Sequence, residues 1–399
     1  MLFSSEILQV LGLLANKLDS IMSRIYLSPP DVSAKDHLAI EGALNSGWIA
    51  PVGPDLEAFE ASVAQRLGRK YALAVNSGTA ALHLALLALD LKPQDRVICP
   101  SLTFAGCAFP IRYCGAEPVF VDSELDTWNV DPELLETAIE ALIKEGTPPK
   151  AVIVVQIYGQ CAQMDRISAI CQRYELTMIE DAAESLGASY KGQCAGSFGE
   201  VSFLSFNGNK IITSSGGGML LTDNKALFEK ARCLASQARE PVLHYEHAAV
   251  GYNYRLSNLL AALGRSQLED LDHKISQRKE HYSAYVDALG SIDGVRFMPI
   301  SKDGEANYWL TICLIDGSQT KSSRDQIIAL CAAENIEVRP TWKPLHLQPV
   351  FSSSKVFGGA VSEDLFKCGL CLPSGSNLPV ESRDRIINLL KSALMEGCA

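Results

Sequence analysis

Between residues 71 and 236 the chain repeats one unit: an apolar run of strand length, a polar or glycine turn, then a stretch at helical spacing. The spacing predicts strands over 71–75, 96–100, 118–122, 151–157, 176–179, 201–206 and 218–222, the last antiparallel. Helices are expected over 80–89, 103–113, 132–143, 164–174 and 223–236, with two more upstream over 34–45 and 55–67. The run AVIVVQI over 151–157 is apolar on both faces, as in a parallel sheet covered by helices on both sides. That confines the chain to an α/β fold with a mostly parallel, doubly wound sheet, whose ligands bind beyond the strand carboxyl ends.

Residues 251–256 open a long helical region reaching about residue 289. After residue 295 the pattern turns to α+β with shorter strands, and a closing helix is expected over 383–395. The expected organisation is an N-terminal extension over 1–24, a large domain over 25–270 and a smaller C-terminal α+β domain over 271–399. The amphipathic stretch 7–21 lacks a cationic leader and a small-residue cleavage site, so it reads as an extra helix or an upstream extension. Its few basic residues argue against a membrane-surface helix.

With 399 residues, 47% hydrophobic and 20% charged, the chain has ample material for a core. A net charge of -11 without a basic block argues against nucleic acid as a partner. No apolar run reaches the roughly 18 residues that a membrane span needs, and a cytoplasmic location is expected. The twelve cysteines have no framework spacing, and the lone pair Cys368 and Cys371 lacks the second pair a zinc site needs. His244 and His247 lack an obvious third ligand, so no metal is expected.

Three turns at strand carboxyl ends hold the reactive residues. Asn76-Ser77-Gly78-Thr79 stands between the strand 71–75 and a helix. There, free N–H groups, the positive end of the helix dipole and the Thr79 hydroxyl make an anion site, although Ser and Thr are also ordinary caps. Asp181 follows the strand 176–179, where it also suits a cap. Lys210 follows the run 201–206 among small polar neighbours, Ser205, Asn207, Gly208 and Asn209. An amine held against an apolar strand end loses hydration and is poised for Schiff-base chemistry. A cofactor with an aldehyde, a phosphate and a pyridine ring needs an amine, phosphate donors and a carboxylate that keeps the ring nitrogen protonated. Lys210, the Ser-Gly-Thr turn and Asp181 supply these parts, which points to pyridoxal 5'-phosphate (PLP).

The stretches NSGTAALHLAL (76–86), EDAAESLGA (180–188), SFNGNK (205–210) and GYNYRLSN (251–258), in this order, resemble the DegT/StrS-type sugar aminotransferases. These are PLP-dependent transferases of fold type I, and the resemblance runs from about residue 26 onward. Within that family YLSPP, GWIAP, SFNGNKIITSSGGGM, SQARE with LHYEH, and CLPSG are similar to the UDP-sugar 4-aminotransferases of UDP-N-acetylbacillosamine biosynthesis.

The resemblance implies that Lys210 holds the cofactor covalently and moves protons, and that Asp181 pairs with the ring nitrogen. Glu184 is implied near the ring hydroxyl, where many relatives carry Gln or His. Gly78, Thr79 and Ser205 are implied at the phosphate, Phe104 over one face of the ring, and Asn253 at the phosphate of a neighbouring subunit, hence a homodimer with shared sites. Trp48, Ile49, Ala50, Arg339, Trp342 and His346 are the implied nucleotide-sugar pocket; Trp48 in its Gly/Pro-rich loop also reads as a structural anchor.

The implied reaction moves the amino group of L-glutamate to C4 of a UDP-4-keto-6-deoxy-N-acetylhexosamine, giving UDP-2-acetamido-4-amino-2,4,6-trideoxyglucose and 2-oxoglutarate. A 3-keto or another 4-keto acceptor, or a non-catalytic protein on the same scaffold, are the alternatives. Dehydratase relatives carry His at the lysine position, so Lys210 argues against that chemistry.

Overall fold

The computed structural model describes residues 24–397; the stretch 7–21 lies outside them. Seven strands build most of a central sheet: β1 (Tyr71–Val75), β2 (Arg96–Pro100), β3 (Glu117–Val121), β4 (Pro149–Val155), β5 (Thr177–Asp181), β6 (Val201–Ser205) and β7 (Gly218–Thr222). Four more lie further on: β8 (Val295–Phe297), β9 (Thr311–Ile315), β10 (Arg339–Pro340) and β11 (Val356–Phe357), before β12 (Gly369–Leu372). The large sheet runs in the order β1-β7-β6-β5-β4-β2-β3-β11. Its pairs are parallel except those of β7, which runs antiparallel to both β1 and β6.

Alternation along β4 shows why a continuous apolar run was required. Ala151, Ile153 and Val155 enter one hydrophobic core, while Val152 and Val154 enter another on the opposite face. A residue period of two sends successive side chains to opposite faces, so a strand covered on both sides has no polar positions to spare.

A second sheet, β8-β9-β12-β10, is antiparallel throughout and has its own core, which Ile25, Tyr285 and Leu390 share. Strand β11 leaves this C-terminal region and adds to the edge of the large sheet beside β3.

Two expected elements differ. The helix over 103–113 is instead a 3-10 turn, Ala105–Cys107, followed by a short helix, Phe109–Tyr113. Pro110 forbids a continuous helix, because its ring would strike the carbonyl four residues back and it has no N–H to donate. The region 251–257 is extended, and Tyr252 and Tyr254 donate backbone N–H groups to Leu234 and Ala235. Helix begins at Asn258, where Ser257 caps it by accepting from the Leu260 N–H at 3.3 Å.

Candidate active site

The carboxyl ends of β1, β5 and β6 converge on one cavity of about 360 Å³. Gly78, Thr79, Phe104, Glu184, Ser205, Lys210 and Trp342 all line it, so the fold brings together residues from five separate stretches of chain. Asp181 ends β5 and is buried directly behind the cavity, in register with Phe203, which also lines it.

At one end lies the amino terminus of the helix Gly78–Ala88. Ser77 caps it, accepting from the Ala80 N–H at 3.0 Å. The glycines permit a close approach of three chain segments. A Cβ at Gly78 would lie 3.1 Å from Ser205 Cβ, and one at Gly218 would lie 2.5 Å from the Gly78 nitrogen. The first N–H groups of a helix have no partner within it, so this end presents donors to an anion.

Lys210 sits on the turn after β6, with its N–H on the Asn207 carbonyl at 3.0 Å. Its ammonium is 3.5 Å from Glu184 Oε1 and 4.0 Å from the centroid of the Trp309 ring. Glu184 accepts from the Tyr158 backbone N–H at 2.8 Å, and burial raises its carboxyl above the usual range while Lys210 pulls the other way. Tyr158 holds a left-handed backbone, φ 53°, which for a bulky residue marks strain at a functional site. Its ring stacks on Trp342, and its hydroxyl accepts from the Trp342 N–H at 2.8 Å.

Burial also pushes Asp181 up from 3.8 to about 7, although its carboxylate accepts from the Ala183 N–H at 3.1 Å. A cation placed against it would favour the charged form. Its neighbour Glu180 is pushed to about 7 by the same burial, and spends its oxygens on Gln156, Gly196 and Phe198. Helix-end donors, a buried amine and a buried carboxylate around one cavity fit a phosphorylated, aldehyde-bearing pyridine.

The remaining expected residues do not line this cavity. Trp48 and Ile49 are each 50% exposed. Asn258 holds their loop through the Trp48 and Ala50 carbonyls, each at 2.8 Å. Asn253 is exposed; its carbonyl accepts from Asn76 at 3.4 Å. Arg339 pairs with Glu337 and lines a second cavity of about 540 Å³, which shares Asn209 and Trp342 with the first. His346 turns away from both, bonded to Ser101 Oγ at 2.6 Å and to Glu363 at 3.1 Å. His244 pairs with Glu246, and among the described residues no group of three ligands could hold a metal.

Asn207 and Asn209, expected beside Lys210, line the cavity; sequence reasoning passed over Trp309 and Gly217, which line it too. Trp309 lies some hundred residues from Lys210, and nothing local marks an aromatic that packs beneath an amine.

The family profile of the DegT/DnrJ/EryC1/StrS aminotransferases matches residues 30–391. EpsN of Bacillus subtilis (strain 168), assigned as a pyridoxal phosphate-dependent aminotransferase, is 52% identical over 371 residues, covering 92% of this chain and 95% of that protein. GDP-perosamine synthase of Caulobacter vibrioides is 37% identical over 94% of this chain and 100% of its own. A solved structure of a DegT DnrJ EryC1 StrS aminotransferase from Brucella abortus superposes with a TM-score of 0.83 at 32% identity, covering 90% and 95% of the two chains. The cavity and these likenesses agree: the chain belongs to the DegT/DnrJ/EryC1/StrS aminotransferase family and is a PLP-dependent sugar aminotransferase.

Proposed function

We propose that this enzyme transfers the amino group of L-glutamate to C4 of a UDP-linked 4-keto-6-deoxy-N-acetylhexosamine, with Lys210 as the cofactor lysine. The observation that carries the reading is the pair of adjoining cavities. One has the amine, the buried carboxylates and the helix-end donors; the other opens past Trp342 and Asn209 toward Arg339 and Lys343. The first suits the cofactor and the reacting carbon. The second offers Lys343, and Arg339 in its pair with Glu337, to a nucleotide diphosphate.

Bound PLP supplies an electron sink for the carbon that loses its proton. The chain's own residues do the rest. Lys210 would hold the cofactor, and its free amine would take the proton from the substrate carbon and return it during the exchange. Glu184, 3.5 Å from the lysine nitrogen, would hold it toward that carbon. Asp181 would keep a proton on the ring nitrogen. Gly78, Thr79 and Ser205 would hold the phosphate, and Phe104, which lines the cavity and is 58% exposed, would cover the ring.

A homodimer completes the site in this reading. Trp48, Ile49, Leu243, Tyr245 and Val250 are exposed apolar side chains outside the cavity lining, available to a partner subunit. Asn253 and the Trp48–Ala50 loop, which do not line the cavity of their own chain, then serve the partner's site. The C-terminal region from residue 271 forms the smaller domain, and the enzyme works in the cytoplasm; among the described residues no helix is long and apolar enough to cross a membrane.

A GDP-linked acceptor is the second reading, favoured by the likeness to GDP-perosamine synthase. One assay separates them. Holoenzyme is converted with L-glutamate, and the cofactor absorbance is followed as UDP- and GDP-linked 4-keto sugars are added in turn. Recovery of the starting spectrum with the UDP-linked 2-acetamido sugar supports the proposal. Recovery with the GDP sugar alone selects the second reading, and recovery with neither overturns both.

A further inference from the structure

Two stretches set apart by the sequence, YLSPP (26–30), whose first four residues line the second cavity, and CLPSG (371–375), have no residue assigned to the chemistry above. They meet at Arg278. This residue lies on the helix Leu271–Leu289, whose buried face contains Lys274, Arg278 and His281 among apolar residues. Arg278 is 1% exposed. Its guanidinium donates to the Trp309 carbonyl at 2.5 Å, to the Ser374 carbonyl at 3.3 Å and to the Ser28 hydroxyl at 3.1 Å. None of these three acceptors is a carboxylate, and burial lowers its pKa from 12.5 to about 10. A buried charge held by neutral groups is costly, so its value lies in what it orients.

It orients two donors that share one target. Ser28 gives its hydroxyl proton to the Asn209 carbonyl at 3.1 Å, and the Trp309 indole N–H donates to the same oxygen at 2.7 Å. Asn209 immediately precedes Lys210. The face of the Trp309 ring lies 4.0 Å from the Lys210 ammonium. Asn307 fixes the Trp309 backbone: its Oδ1 accepts the Trp309 backbone N–H at 2.9 Å, and its amide donates to the Glu184 and Leu186 carbonyls.

We propose that Arg278 is a positioning residue for the cofactor lysine: it aims Ser28 and Trp309 at the Asn209 carbonyl, and these two donors hold the turn that places Lys210 over the reacting carbon. The proposal rests on Lys210 as the cofactor lysine. Without the two donors the turn has freedom to shift, and a small misplacement of a catalytic group costs rate more than binding.

The test uses holoenzyme and L-glutamate. Borohydride reduction and peptide mass mapping first show which lysine holds the cofactor. A label elsewhere than Lys210 overturns the assignment of that lysine and this proposal with it; a label on Lys210 leaves the network to be judged by its own variants. Ser28→Ala and Trp309→Phe each slow single-turnover consumption of glutamate by roughly tenfold, and the pair by on the order of a hundredfold, at nearly unchanged glutamate KM and melting temperature. In cofactor-free protein the pair also makes Lys210 several-fold faster to acetylate, because its nitrogen leaves the Trp309 face and Glu184. Arg278→Met matches the pair and Arg278→Lys recovers part of the rate; if Arg278→Met does not fold, the Ser28/Trp309 pair decides alone. A folded pair with wild-type rate overturns the proposal, and so does a slowed pair with unchanged labelling of Lys210.

Discussion

The Lys210 ammonium stands 3.5 Å from the Glu184 carboxylate, and the two side chains are 11% and 4% exposed. The distance joins a turn after β6 to one after β5, and it puts the charge of Glu184 where the amine must be held. Glu184→Gln keeps an acceptor for the Tyr158 N–H but removes that charge. Its kcat is expected to fall by about tenfold or less. Glu184→Leu also leaves a buried N–H unpaired, which costs about 1–3 kcal/mol, so its melting temperature drops where that of Glu184→Gln does not. Steady-state kinetics with thermal melts check both.

On the proposed assignment, Lys210→Ala removes the base and the covalent tether together. Turnover is expected to fall by roughly a thousandfold or more, and the borohydride-reduced mass adduct disappears from the peptide. Near-normal turnover of this variant would refute the assignment of Lys210.

Asp181 supplies a pH signature. In the cofactor-free protein its pKa is raised from 3.8 to about 7, chiefly by burial. An acid with a raised folded pKa contributes stability that is full below its unfolded value and is lost as pH rises through the folded one. Between about pH 4 and 7 the folded state therefore binds the extra proton, and Asp181 weakens the fold as pH increases. Asp181→Asn cannot ionise, so its melting temperature relative to wild type rises across that window, while its aminotransferase activity falls. Parallel melts from pH 4 to pH 8 measure the difference; two parallel curves would contradict it.

Gly78→Ala tests the phosphate cradle. The new Cβ would lie 3.1 Å from Ser205 Cβ and 3.3 Å from the Leu204 carbonyl, so Ser205 must move. PLP affinity is expected to weaken by about tenfold to a hundredfold, equal to about 1.4–2.7 kcal/mol, with little change in the melting temperature of cofactor-free protein. Equilibrium dialysis against PLP reads it directly.

Arg339→Ala tests the second cavity. Its side chain pairs with Glu337 and is 63% exposed, so its loss should leave the fold intact. The sugar-nucleotide KM is expected to rise by about tenfold with kcat nearly unchanged, and the glutamate half-reaction to proceed as in wild type. A lowered kcat at constant KM would place Arg339 in the chemistry instead.

The doubly wound sheet was legible because its driving force is local. The alternation of AVIVV between two cores follows from a two-residue period, and each turn after a strand carries its own glycine or cap residue. Lys210, Asp181 and the Ser77–Thr79 turn could be grouped because parallel strands bring their carboxyl ends to one edge. The helix over 103–113 failed where Pro110 overrode an apolar spacing.

His346 and Trp309 were beyond reach for a different reason. His346 was expected in the sugar pocket, yet its ring bonds Ser101 and Glu363, partners 245 and 17 positions away. Trp309 meets Lys210 across a hundred residues. Neither contact has a periodicity or a motif to announce it.

The amino-acid sequence by itself determined the layering, the strand–turn–helix units and the kinds of reactive group at their ends, since each depends on neighbours within a few residues. The tertiary structure alone decided which groups touch: that Glu184 and Trp309 hold Lys210, that burial lifts Asp181 toward neutrality, and that Arg278 lies behind them. Those facts depend on distance and desolvation between remote segments, and both come into being only when the chain closes on itself.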